Sequence, residues 1–233
     1  MAWRAIAFID GAYARDRTAR QGDAMTPRDA ACSTGIGSEA VRLTGGAFDP
    51  WAMPGGVDPT GIVKGWATAR ALDELQGAGV AAAMVNAGGD IACFGEEPWR
   101  IGVRDPHDAD RLVCVAEVRS AIATSGGSER PDEIIDPATA APAAGLSQAT
   151  VVGDSLAICD AFATALIVSG ERGLRMLEPG YTAVIVDADG RMLATPGFPL
   201  APAVVASQEP ISLGHAASRG VIASPCRAVR SRP

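Results

Sequence analysis

Residues 58 to 65 read Asp-Pro-Thr-Gly-Ile-Val-Lys-Gly and run directly into a helix-like stretch. Asp58 or Thr60 caps that helix, and Lys64 sits one turn inside it, where a phosphorylated ligand could be received. A plain N-cap followed by a solvated lysine is the commoner meaning of such a pair taken alone. Farther along, Val85-Asn86-Ala87-Gly88-Gly89-Asp90 sets a glycine turn between two short apolar runs. Such a turn lets backbone approach a ligand closely, or simply closes with Asn and Asp bonding their own backbone. A third group is Asp160 with Thr164, four residues apart and therefore on one helix face. Their neighbours Leu156, Ala157, Ala161, Ala163, Leu166 and Ile167 are apolar. A carboxylate there is costly without a partner. Two readings stand. In one, Asp160 bonds a loop backbone and Thr164 bonds back to its own helix. In the other, carboxylate, hydroxyl and carbonyl oxygens form a hard-cation site suited to Mg²⁺, completed by phosphate oxygens and waters.

These groups need elements to hold them. The patterning predicts a helix over 26–43, with Thr26-Pro27 as cap and first position and Thr44-Gly45-Gly46 as its end. Gly35 and Gly37 interrupt it. They belong to a G-x-G-x-x-A spacing that no apolar strand precedes, so it is not read as a phosphate loop. A second helix is predicted over 60–76, with Ile62, Val63, Trp66, Ala69, Leu72 and Leu75 as its apolar stripe and Gly77 and Gly79 as stops. Strands are expected at 81–85, 91–94, 99–104, 112–118 and 121–124, spaced as neighbours in a largely antiparallel sheet. Residues 125–147 read as loop, with the acidic run Asp132, Glu133 and Asp136 in it. Another strand is expected at 150–152, then a helix to 168 capped by Asp154 or Ser155. A hairpin over 181–195 turns at Asp187-Ala188-Asp189-Gly190. One domain over 1–198 is expected, followed by a Pro/Ala-rich, loosely attached tail over 199–233.

Composition narrows the classes. The net charge is −7 and no Lys/Arg cluster offsets it, which argues against nucleic acid as a partner. No apolar run approaches ~18 residues, so no membrane insertion is expected. The first residues lack a signal-peptide layout, so a cytoplasmic location is expected. Five cysteines without a C-x-x-C pair argue against a disulfide framework or a zinc site. Cys93, Cys114 and Cys159 lie in apolar runs and read as buried thiols. The two histidines, with no G-x-S-x-G elbow, exclude a histidine metal site and argue against a Ser-His-Asp machine.

Taken together, the segments resemble the ApbE family of FAD:protein FMN transferases. The matching stretches run in the family's order: Thr44-Gly45-Gly46-Ala47-Phe48-Asp49-Pro50, Asp58 to Gly65, Val85 to Ile91, Pro98 to Val103, Ala123 to Gly126, Ile135-Asp136-Pro137, Thr150 to Ala165, and Thr195-Pro196-Gly197-Phe198. The wording from Phe48 to Gly61 looks most like the short actinobacterial branch. The resemblance covers about residues 40 to 198. It implies an α+β fold with a mixed, largely antiparallel sheet flanked by helices. It implies FAD and Mg²⁺, and transfer of FMN to a threonine or serine hydroxyl of an acceptor protein. Ala47, Phe48, Asp49, Asp58, Lys64 and Ile134 would contact FAD. Gly61, through its carbonyl, would join Asp160 and Thr164 around the metal.

The chain also departs from the family pattern. Glu133 stands where the family usually carries a histidine, and a carboxylate there could act as base for an acceptor hydroxyl or repel pyrophosphate. Ser125-Gly126-Gly127-Ser128-Glu129-Arg130 lacks the usual aromatic, and Asp136-Pro137-Ala138-Thr139-Ala140 ends in Ala rather than Gly. The family's N-terminal strand is expected to be absent or shortened before residue 25. Two alternatives therefore accompany transfer: hydrolysis of FAD to FMN and AMP, and an FAD-binding homologue with little catalysis.

Overall fold

The computed structural model describes residues 4–9, 27–52, 58, 60–126, 134–143 and 145–202. Its centre is a seven-stranded sheet in the order β1-β2-β3-β6-β9-β10-β11. The strands are β1 (Arg4–Ile9), β2 (Ala82–Ala87), β3 (Asp90–Phe94), β6 (Ala121–Gly126), β9 (Gln148–Gly153), β10 (Thr182–Val186) and β11 (Met192–Ala194). Between them in the chain, β4 (Trp99–Arg104) and β5 (Leu112–Val118) form a separate antiparallel pair, as do the short β7 (Ile135–Asp136) and β8 (Ala141–Pro142). The helices are α1 (Pro27–Thr44), α2 (Thr60–Gly77) and α3 (Leu156–Ser169), the last followed by a 3-10 turn over Gly170–Met176. The result is α+β, with a mixed, mainly antiparallel sheet and helices against it.

Two expectations about the strands change. A six-residue strand, β1, does form near the N-terminus and pairs with β2 in parallel. The strands at 99–104 and 112–118 are not members of the main sheet. They fold over it as their own layer, because both of its faces are apolar and each needs a cover. The period of two sorts the side chains. Ala83, Val85, Ala92, Ala121, Ala123 and Val151 point to the helices, while Met84, Ile91, Cys93, Ile122 and Val184 point to the β4–β5 pair. Cys93, Cys114 and Cys159 are buried thiols outside any disulfide, as their apolar contexts suggest. Burial pushes the Cys93 thiol up to about 12.

Helix α3 is apolar on every side and almost wholly buried, which suits a central helix sandwiched between the sheet and its neighbours. Ser155 is its N-cap but makes no side-chain capping bond. Along α2 the buried residues are Ile62, Gly65, Thr68 and Leu72, whereas Ala69, expected in the stripe, is exposed. The stripe is rotated because α2 meets α3 through its smallest side chains. A Cβ on Gly65 would lie 2.6 Å from both Cα and N of Ala157. Only glycine permits that approach. Gly65→Ala is expected to cost about 1–3 kcal/mol, because backbone rather than a flexible side chain must yield. Thermal melting would read this as a loss of about 2–4 °C per kcal/mol. An unchanged melting temperature would show that the helices separate freely.

The C-terminal region continues beyond Phe198. Glu117 N–H donates to Pro199 O at 2.8 Å and Ala201 N–H to Val115 O at 2.8 Å, so 199–201 run along β5. The rest of the expected tail, 203–233, lies outside the described residues.

Candidate functional site

The close approach at Gly65 puts the next side chain, Lys64, over α3. One turn up from Ala157, Asp160 faces the same helix. The Lys64 Nζ lies 3.5 Å from Asp160 Oδ2 and pairs still more closely with Asp90 Oδ2. Asp90 comes from a third element. It opens β3 immediately after the Asn86–Asp90 turn, in which Gly88 and Gly89 take φ of 66° and 101° and Gly89 N–H donates to Asn86 Oδ1 at 2.8 Å. That conformation is open to glycine at little cost. Two residues before Ala92, Asp90 shares its helix-facing side of the sheet.

The two carboxylates are deeply placed, with side chains 3% (Asp90) and 7% (Asp160) exposed, while that of Lys64 is 40% exposed. Asp90 Oδ1 accepts the Thr124 N–H at 3.1 Å. Asp160 Oδ2 accepts no hydrogen bond among the described residues and has only the longer ion pair. Burial, and then the nearby Asp90 charge, push the Asp160 carboxyl up to about 7, with Lys64 pulling the other way. Burial would depress the Lys64 ammonium, but Asp160 and Asp90 together outweigh it and hold it above the usual lysine range. Fully ionised, the group holds one positive and two negative charges. The excess negative charge falls on Asp160.

Thr164 follows Asp160 by one turn, and its Oγ1 lies 3.0 Å from Ser125 Oγ on β6. Thr164 is thus bonded to a side chain rather than only to its own helix. Asp160 meets an ammonium here, not a loop backbone. The donors fit a hard cation: a buried under-partnered carboxylate oxygen and, one helical turn on, a hydroxyl. No group of three His, Cys, Asp or Glu side chains suited to a metal occurs among the described residues. A cation here would need neutral and phosphate oxygens besides Asp160, which suits Mg²⁺.

The other expected residues make contacts of their own. Phe48 and Ile134 pack against the helix-side core. Asp49 Oδ1 accepts the Trp51 N–H at 2.9 Å, closing its own turn. Asp58 is exposed, and its N–H donates to Pro50 O at 2.8 Å, tying the 47–52 loop to the start of α2. Ala47 lies in that loop. Glu133 and the Gly127–Asp132 part of the loop before it lie outside the described residues. The G-x-G at Gly35 and Gly37 lies inside α1. Asp90 and Ser125 stand outside the residues expected from sequence. The signal that could have found them is alternation: each shares the helix-facing side of its strand with alanines packed under α3.

The ApbE family model matches residues 23–186. The chain belongs to the ApbE family. A protein of Rhodobacter capsulatus named FAD:protein FMN transferase is 36% identical over 155 residues, covering 60% of this chain and 30% of its own length. One of the same name from Vibrio cholerae serotype O1 is 34% identical over 146 residues, covering 56% of this chain and 44% of its own. The chain thus matches less than half the length of these curated ApbE relatives. The solved flavin transferase ApbE from Vibrio cholerae superposes with a TM-score of 0.63 at 25% identity, over 72% of this chain and 75% of that one. No helix among the described residues is long and apolar enough to cross a membrane.

Proposed function

We propose that the chain is an Mg²⁺-dependent FAD:protein FMN transferase, acting on a threonine or serine hydroxyl of an acceptor protein. The observation that carries this reading is the Lys64–Asp90–Asp160 group, with both carboxylates buried and, when ionised, one excess negative charge, one helical turn from Thr164. The names of the curated relatives support flavin transfer.

Asp160, Thr164 and the Gly61 carbonyl would hold Mg²⁺. When bound, Mg²⁺ would neutralise pyrophosphate charge and steady the departing phosphate. Lys64, partly open to solvent and anchored by Asp90, would present its ammonium to a phosphate oxygen. Asp58, Ala47, Phe48, Asp49 and Ile134 would line the rest of the FAD. The acceptor hydroxyl oxygen bonds to the phosphorus of the FMN half. The bond from that phosphorus to the bridging oxygen breaks, and AMP leaves with that oxygen. Glu133 takes the hydroxyl proton.

The test is to incubate the full chain with FAD, Mg²⁺ and an acceptor domain carrying a flavinylation threonine. Flavin fluorescence that stays with the denatured acceptor, with AMP released one for one, is the expected result. Free FMN and AMP with an unlabelled acceptor would replace transfer by hydrolysis. Unchanged FAD would overturn both enzymatic readings.

A further inference from the structure

We propose that Asp90, which is not itself a metal-holding residue, sets the affinity of the site for a divalent cation by keeping the Lys64 ammonium off Asp160. The inference rests on the reading of Asp160 and Thr164 as the metal-holding pair.

The ammonium has two anions within reach and sits on one of them. It is in close contact with Asp90 Oδ2 and 3.5 Å from Asp160 Oδ2. Asp90 is fixed independently of α2. Its backbone pairs with Ala87 at the start of β3, and its other oxygen is held by the Thr124 N–H at 3.1 Å. The sheet thus decides where the ammonium rests. Lys64 has only these two ion-pair partners among the described residues. Without the Asp90 charge, its remaining anion is Asp160. An ammonium closed on Asp160 would neutralise the oxygen that is otherwise under-partnered and would occupy the position a cation needs. Affinity then follows the charge balance. The native group carries an excess of one negative charge, and Asp90→Asn carries none. The double variant Asp90→Asn with Lys64→Met again leaves one negative charge, on Asp160.

This balance separates the inference from a merely structural role, because a second lesion should repair the first. The probe is Mn²⁺ titrated into the metal-stripped full chain without FAD, with free Mn²⁺ followed by electron paramagnetic resonance. Asp90→Asn keeps an acceptor for the Thr124 N–H and is expected to bind Mn²⁺ about 10–100-fold more weakly, the range seen for supporting partners of metal ligands. The double variant is expected to return to within a few-fold of native affinity. Asp160→Asn is expected to lose the site. Native affinity in Asp90→Asn, with binding lost in Asp160→Asn, would overturn the role of Asp90 and leave the metal site standing. A double variant as weak as Asp90→Asn would also overturn it, pointing to structural support. Undiminished Mn²⁺ binding in Asp160→Asn, or none in the native chain, would remove the metal site itself. If circular dichroism shows Asp90→Asn unfolded, Lys64→Met alone decides. Tighter Mn²⁺ binding supports the inference, and unchanged or weaker binding overturns it.

Discussion

Asp160→Ala is expected to abolish Mg²⁺ binding and to lower FAD turnover about a thousandfold, while leaving the fold intact. A bound metal contributes several kcal/mol to charge stabilisation in such transfers, and each ~1.4 kcal/mol is tenfold in rate. The fold should survive because Asp160 is a liability to the metal-free protein. Its carboxyl is buried, one oxygen is under-partnered, and burial with the Asp90 charge pushes it up to about 7. A carboxyl that holds its proton more tightly when folded stabilises the fold fully only below its unfolded value, about 4. That stabilisation is lost as pH rises from about 4 through 7. Metal-free native protein should therefore lose thermal stability between pH 5 and 8, and Asp160→Ala should lose less. Melting curves at the two pH values in the presence of chelator check this. Parallel losses in both proteins would show that Asp160 is not the group titrating.

Lys64→Met is expected to have the opposite effect on stability. It leaves Asp90 and Asp160 facing one another with side chains 3% and 7% exposed and no ammonium between them. Breaking a fully buried pair typically costs about 3–5 kcal/mol. The Lys64 side chain is 40% exposed, so water screens part of the loss and about 2–3 kcal/mol is expected. The melting temperature should fall by roughly 5–10 °C in chelator. Mg²⁺ should return much of that loss, because a cation that binds only the folded state stabilises it by mass action. FAD affinity should fall at the same time, since the phosphate loses its cationic partner. A variant that melts like the native protein in chelator would show that the two carboxylates do not depend on Lys64.

Much of this was legible in the sequence, because the site is built from regular elements. Asp160 and Thr164 were visible as a pair because helical spacing puts residues four apart on one face. Lys64 was visible because a capped helix start is a local signal. The helices over 27–44, 60–77 and 156–169 fall close to their expected bounds. What sequence could not supply was pairing between elements. Nothing local says that the strands at 99–104 and 112–118 leave the main sheet, or that 4–9 joins its edge in parallel. The same limit hid Asp90. After two glycines it reads as a turn residue, and only the register of β3 under α3 turns its carboxylate to Lys64. The rotated stripe of α2 has a similar origin. Periodicity favours Ala69 over Gly65, but the contact with Ala157 demands the residue without a side chain.

The central claim is that the excess negative charge at Asp160 forms, with Thr164, a site where Mg²⁺ and FAD bind together. Calorimetric titration of FAD into the metal-stripped full chain, with and without Mg²⁺, tests it most directly. The expected result is one FAD per chain in Mg²⁺, binding at least about tenfold weaker in chelator, and no difference between the two conditions in Asp160→Ala. FAD binding that is equally tight with and without Mg²⁺ in the native chain, or Mg²⁺ dependence that survives in Asp160→Ala, would contradict it.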